Sequence, residues 1–390
     1  MLSWLQPMRP ENELLRLCAA SSLPEERRVR VQALSQKPLD WDFFLEQAVL
    51  HRVFSLAYKV FSSGAANGLP HETKEKLRSL YFSNLTRNLA AQKELGRVLE
   101  AMSESGVSAA PYKGPVLAES AYGELGLRQF NDLDVLVRES DLEAAVSVLL
   151  GLGYASEFPD EPTEQKRLRA YLRDFAFRRP NGPCPVEVQW RLAQRYHPLF
   201  RDQGRVWARL REESLAGLPV RTLSSEDTLM VLCLHGLYHS WQNLQMVSDV
   251  AESLRACRDI DWGHLLEDAR GQGGLRILLL GMLLAHDILD APLPPEVRSA
   301  AARDRFVTGL AARVSAGFFE RASYIIRARS YFILEARMIG GLGNRLRYVW
   351  GRLSTPNEHD LDAFRLPAGL FLLHPFCRMI RLFKTYFLHA

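Results

Sequence analysis

Lysine is scarce in this 390-residue chain. It stands only at positions 37, 59, 74, 76, 93, 113, 166 and 384, and arginine supplies the rest of the 49 basic residues, so a lysine inside a motif is informative. Cysteine is scarce as well. Cys18, Cys184, Cys233, Cys257 and Cys377 are odd in number, scattered and without a C-x-x-C pair, which excludes a disulfide framework and fits a reducing, cytoplasmic setting. No apolar run reaches about 18 residues without a charge or a proline, so no transmembrane helix is expected. Met1 is followed by Trp4, Pro7, Glu11 and Glu13 rather than by a basic and then an apolar segment, so no signal peptide is expected. The chain lacks a Gly-x-x-x-x-Gly-Lys-Ser/Thr loop and a Gly-x-Ser-x-Gly elbow, which leaves P-loop hydrolysis and α/β-hydrolase chemistry unsupported. Basic residues exceed the 45 acidic ones by only 4, too little to imply a polyanionic partner.

What is present is an ordinary globular composition, 47% hydrophobic and 24% charged, in a chain long enough for two domains or one with an appendage. Residues 1–105 are helical in pattern. Leu14, Leu15, Leu17 and Cys18 share a face, and Leu77 to Met102 is one long periodic stretch that Gly106 ends. Residues 106–223 change to short β-type runs, Leu133 to Arg138, Asp174 to Arg178, Pro185 to Trp190 and a further candidate at Pro219 to Leu223. Asp141 to Leu150 reads as a helix among them. From residue 224 to 390 the helical period returns, with Ser224 or Ser225 as a cap and the almost wholly apolar Ile277 to Ile288 in the interior. The fold class expected is α+β: a small mixed sheet with flanking helices, between an N-terminal helical region and a C-terminal helical domain.

The segment that carries chemistry runs from Tyr112 to Val137. Asp132 and Asp134 flank Leu133 where a strand begins, and residues two apart on a strand share a face, so both carboxylates converge while Leu133, Val135 and Val137 are buried behind them. Adjacent carboxylates repel unless a cation lies between them, and a hard divalent ion shared with substrate phosphates suits such a pair. Glu187, in the alternating run Val186 to Trp190, would add a third acid. Three acids on adjacent strands can hold two metal ions about 3.5–4 Å apart for in-line phosphoryl displacement. Alone, Asp-x-Asp is also what a polar strand edge looks like, and Glu187 could face solvent.

Lys113-Gly114, Leu117, Tyr122, Arg128, Asn131-Asp132-Leu133-Asp134-Val135-Leu136-Val137 and Val186-Glu187-Val188-Gln189-Trp190-Arg191-Leu192 together resemble the uncharacterised nucleotidyltransferase family of the DNA polymerase β-like superfamily. The resemblance continues through Leu234 to Trp241, Val247 to Ala251 and Asp261-Trp262, and covers roughly residues 75 to 295. It implies a metal-dependent nucleotidyltransferase that moves a nucleoside monophosphate from an NTP, with ATP the nucleotide expected, to an acceptor hydroxyl and releases pyrophosphate. Asp132, Asp134 and Glu187 would bind Mg²⁺ or Mn²⁺ and be catalytic. Gly114 would let the backbone approach the phosphates, with a helix N-terminus behind it, and Lys113, Arg128 and Asn131 would contact nucleotide. His235, His239 and Asp249 would line the nucleotide or acceptor wall, although core histidines bridging two helices read equally well and a zinc pair lacks further ligands. The broader superfamily has Gly-Ser or Gly-Gly at this loop, and the family commonly has a histidine two residues beyond its third acid. Here Pro115 and Gln189 stand at those places, and the interval from Gly114 to Asp132 is longer. A weakly catalytic, antitoxin-like or partner-binding module is therefore the alternative function. The acceptor class, whether small molecule, glycan, peptide or nucleic acid, stays open. Residues 368–390 mix Phe371, Phe376, Phe383 and Phe387 with Arg378, Arg381 and Lys384. They could lie on a membrane surface, as a tailoring enzyme for a glycan or lipid precursor would require, or close the helical domain. Arg321, Arg327 and Arg329 read as a solvated helix edge.

Overall fold

The computed structural model describes residues 8–64, 68–156, 169, 171–257, 260–320, 328–356, 360 and 373–383. Arg321, Arg327, Phe371, Lys384 and Phe387 lie outside them. Four short helices, α1 (Pro10–Cys18), α2 (Glu25–Ser35), α3 (Trp41–Leu50) and α4 (Phe54–Ser62), precede the long α5 (His71–Glu104). Gly106, at φ +72°, takes the left-handed turn that lets Val107 N–H reach back to Met102 O and stop α5. The chain then enters β1 (Ala109–Tyr112), α6 (Gly114–Ser120), β2 (Leu133–Val137), α7 (Leu142–Gly151), β3 (Ala155–Ser156), β4 (Asp174–Arg178) and β5 (Val186–Gln189).

These strands form one five-stranded sheet in the order β1-β2-β5-β4-β3. Only the β2–β5 pair is parallel, so the sheet is mixed. After α8 (Gln203–Ala208), β6 (Arg211–Leu215) and β7 (Leu218–Thr222) make a hairpin. Ala216 (φ +50°) and Gly217 (φ +84°) supply the two left-handed residues that a tight hairpin turn requires. The hairpin leans on the free edge of β1, where the Thr222 hydroxyl donates to Pro111 O at 2.7 Å.

Helices α9 (Ser225–Tyr238), α10 (Leu244–Ala256), α11 (Trp262–Gly271), α12 (Leu275–Leu289), α13 (Pro295–Ala302), α14 (Arg305–Ala316), α15 (Ala328–Met338), α16 (Leu342–Ser354) and α17 (His374–Phe383) follow. Ser224 caps α9 by accepting from Asp227 N–H. The expected helix near Asp141 is α7, with Asp141 at its N-cap position but without a side-chain cap hydrogen bond; a 3₁₀ turn over Glu139–Asp141 leads in. The apolar α12 is the interior helix that its sequence implies, with Leu278, Leu279, Met282, Leu284 and Ala285 buried.

Two hydrophobic cores hold the chain. The smaller packs Ala91, Leu95 and Val98 of α5 and Leu142, Ala145 and Leu149 of α7 against Leu133, Val135, Val137, Val186 and Val188 of the sheet. The larger unites the first helices with the last ones, Leu14 and Phe44 sharing it with Leu234, Val250 and Leu279. The segments 1–105 and 224–390 thus share one core, and α5 reaches from it, at Leu77, into the other. The opposite face of the sheet, carrying Tyr112 and Leu136, looks into this helical body. That face also carries Asp132 and Asp134, so the acids meet helices rather than open water. Among the described residues no helix is long and apolar enough to cross a membrane.

Candidate functional site: an acidic notch between sheet and helices

Strand register decides which side chains meet. Asp134 lies opposite Glu187 on the parallel neighbour and opposite Tyr112 on the antiparallel one, and Leu136 lies opposite Gln189. Paired residues on adjacent strands, about 4.8 Å apart, point to the same face, so Tyr112, Asp134, Glu187 and Gln189 stand together, with Asp132 two residues before Asp134 on that side. The sheet therefore brings the three acids to one notch. The bland alternative of a solvent-facing Glu187 on an edge strand does not hold, because β5 is flanked by β2 and β4.

The chain enters the notch through two successive left-handed residues, Lys113 (φ +51°) and Gly114 (φ +41°). Such a conformation is uncommon for a lysine and stores strain. Its result is that the Lys113 ammonium turns back onto Asp134 Oδ1 at 3.1 Å. A Cβ on Gly114 would meet only the Asp132 carbonyl oxygen, at 3.6 Å, so φ rather than crowding requires the glycine. Pro115 sits in the first turn of α6, where its missing N–H is tolerated, but α6 spans only seven residues.

Gln189 ties the acids together. Its amide nitrogen donates to Asp134 Oδ1 at 2.8 Å and, more weakly, to Glu187 Oε2 at 3.4 Å, while its oxygen accepts from the Tyr112 hydroxyl. Asp134 is 2% exposed, and its second oxygen, Oδ2, is buried with no hydrogen-bond partner. An orphaned carboxylate oxygen is costly in a protein interior and marks a place for a cation or a donor. Among the described residues no three His, Cys, Asp or Glu side chains form a ready-made metal cage. The donors present suit a hard ion that keeps water and takes phosphate oxygens to complete its shell.

Burial and mutual repulsion govern the charges. Burial first, then the negative charges of Asp134, Asp132 and Asp174, push the Glu187 carboxyl up to about 8, with Lys113 opposing. Asp132 is raised by burial and by Asp134, again against Lys113. Across the notch, the rings of His235 on α9 and His239 just beyond it meet at a tilt, centroids 4.5 Å apart. Burial and then the Lys113 charge hold His235 well below the usual histidine range and lower His239 as well, so both are neutral imidazoles near pH 7. The histidines thus face the same lysine as the acids.

Arg128 and Asp249 meet each other. Arg128 Nε and Nη2 donate to Asp249 Oδ1 and Oδ2, both at 2.8 Å, and the Tyr122 hydroxyl donates to Oδ1 at 2.6 Å. Asp249 has both oxygens engaged, so it positions Arg128 and ties α10 to the loop before β2. Arg128 keeps one buried nitrogen, Nη1, without a partner. Asn131 is exposed and accepts from Arg87 Nη1 at 3.2 Å. Tyr112, Gln189 as an acid-orienting amide, and Arg52 are contributors that the sequence did not reveal. Arg52 (φ +58°) follows His51, whose backbone and ring accept from Gln245 N–H and Leu244 N–H, and its charge acts on Asp132 and His239. Its only sequence signal was membership of a short turn between two helices.

The model of the family described as uncharacterised nucleotidyltransferase matches residues 37–290, about two thirds of the chain. The chain belongs to that family. Members of the nucleotidyltransferase family are thus the frame for the notch, whose residues all fall inside the matched span. Among solved structures, the solution structure of the antibiotic-resistance factor ANT(2'')-Ia is similar at 14% identity, over 58% of this chain and 96% of that one, with a TM-score of 0.28. No curated protein matches.

Proposed function

We propose that the notch transfers a nucleoside monophosphate from an NTP, with ATP expected, to an acceptor hydroxyl in a reaction that depends on Mg²⁺ or Mn²⁺. The observation that supports this most is the in-register pairing of Asp134 with Glu187, Asp132 on the same face, around an orphaned Asp134 Oδ2. Asp132, Asp134 and Glu187 would hold the divalent ion, which supplies charge neutralisation for the triphosphate and acidifies the attacking hydroxyl. Lys113, whose ammonium now meets Asp134 Oδ1, would contact a phosphate oxygen of the bound nucleotide. Gly114 leaves room for that phosphate against the backbone. Glu187, opposite Asp134 on the neighbouring strand, would take the acceptor proton as the new O–P bond forms and the bond to pyrophosphate breaks. Gln189 and Tyr112 hold the two carboxylates in place, and His235 and His239 form the neutral wall on the helical side.

Equilibrium binding of α-phosphate-labelled ATP tests the reading, followed by incubation with cell extract to find what takes up label. Binding should require the divalent ion and vanish in Asp132→Asn/Asp134→Asn. Binding that persists unchanged in the variant or in chelator overturns it. One observation favours the partner-binding alternative: Asp134 Oδ1 is already satisfied by Lys113 and Gln189. On that reading a protein partner would bind equally well without nucleotide, and no label would be transferred with any divalent ion.

A further inference from the structure

The last helices are built with their polarity reversed, and the reversal is measurable. On α17, Arg378 is 2% exposed, donating twice to Arg352 O and pairing with Asp360, while Phe376 is 58% and Ile380 53% exposed. On α16, which packs against α17, Leu342, Leu346 and Trp350 are 71%, 60% and 69% exposed, and Leu353 37%. At about 3.6 residues per turn these four fall on one stripe, the arrangement of an amphipathic helix whose apolar face points outward. The stripe has no room to roll inward. The opposite side of α16 is seated by buried Tyr348 and by Gly351, where an added Cβ would come within 2.1 Å of Tyr196. Surface leucines one at a time need no explanation, but a continuous apolar stripe on a fixed helix marks something that covers it.

Charge says what. On the same helical wheel Arg347 falls on one side of the stripe and Arg345 and Arg352 on the other. Arg352 is held beside Glu335, and Arg378 and Arg381 of α17 pair with the buried Asp360, so the charge that borders the stripe is that of exposed Arg347 and of half-buried Arg345, which also donates to Ile339 O. A second copy of this face would bring like charges together. An anionic lipid surface would not: the stripe would enter the boundary between headgroups and acyl chains while exposed Arg347 beside it reaches up to phosphate. Trp350, in the stripe, has the amphipathic ring that such interfaces favour. With no membrane-crossing helix among the described residues, the contact would be peripheral.

We infer that the outer face of α16 and α17 is a docking surface for anionic phospholipid. It does not depend on the catalytic reading of the notch, but it bears on it. Tyr348, under the stripe, meets His197 at 5.7 Å between ring centroids, and His197 meets Tyr238 at 6.0 Å, at the end of the helix that carries His235. Seating α16 on a bilayer would therefore hold the notch in a set orientation to it, as an acceptor anchored in lipid would need.

Flotation of the full chain with phosphatidylcholine vesicles, with and without phosphatidylglycerol, tests the inference, with light scattering in parallel. The wild type should partition onto the anionic vesicles about tenfold or more over the neutral ones, less so at high salt. Leu346→Ser/Trp350→Ser should lose about tenfold or more of that binding, and Arg347→Glu should lose the anionic preference while keeping any neutral binding. These side chains are largely outside the core, so unchanged thermal unfolding verifies that the variants fold. Absence of binding to anionic vesicles, or binding that survives both variants, overturns the inference. A wild-type dimer that the double serine variant turns into a monomer overturns it too, since the stripe would then be a self-association face.

Discussion

Removing the carboxylate of Asp249 tests the tie between the sheet and the helical body. The Arg128 side chain is 7% exposed and the Asp249 side chain 4%, and they are joined by two hydrogen bonds of 2.8 Å, with Tyr122 on the same carboxylate at 2.6 Å. Asp249→Ala leaves a buried guanidinium without its counter-charge and a buried phenol without its acceptor. Breaking a buried pair from one side costs about 3–5 kcal/mol, a fifth or more of a typical stability of about 5–15 kcal/mol. Equilibrium urea unfolding followed by tryptophan fluorescence should show the midpoint falling at unchanged slope. Arg128→Met/Asp249→Leu should recover part of the loss, because an apolar pair of similar volume removes the stranded charge. Roughly 1–3 kcal/mol should remain missing for the Tyr122 hydroxyl. A single variant within about 1 kcal/mol of the wild type, or a double variant no better than the single one, would refute the argument that this pair is a closed, desolvated unit.

Two further outcomes are expected. Without metal, Glu187 keeps its proton up to about pH 8 in the folded chain but only to its ordinary value of 4.5 when unfolded, so its contribution to stability is complete below pH 4.5 and declines as pH rises to 8. Glu187→Gln should remove that decline, the stability gap between variant and wild type widening from pH 5 to 8; a pH-independent gap in metal-free unfolding curves would contradict the raised carboxyl. Gly236→Ala should destabilise by about 1–3 kcal/mol. Its Cβ would stand 2.5 Å from the Trp241 ring, which is buried and which a Cβ on Gly281 would also crowd, at 3.0 Å; an unchanged melting temperature would show that the ring yields.

Periodicity alone was enough for the elements that lie within one segment. The alternation of Leu133 to Val137 puts Asp132 and Asp134 on one side because a strand repeats every two residues, and that geometry is local. The stop of α5 at Gly106 and the cap at Ser224 are likewise written in a few neighbouring residues. The motifs around Lys113, Asp132 and Glu187 were enough to point to the family, since they are separated yet ordered. Partners across the chain were another matter. The guanidinium of Arg128 pairs with a carboxylate 121 residues away, and no spacing rule tells that Asp249 would be the residue it engages. The same holds for Gln189, which reads as a departure from the family and is in the fold the hinge between two acids and Tyr112.

The amino-acid order determined where helices and strands form and which residues share a face of each, because those depend on φ, ψ and a fixed repeat along the backbone. Only tertiary packing decided that Glu187 lies beside Asp134, that the first and last helices join in one core, and that α16 and α17 turn their apolar sides outward. Those outcomes depend on the register between strands and on which surfaces exclude water first, quantities that are properties of the folded whole rather than of any segment.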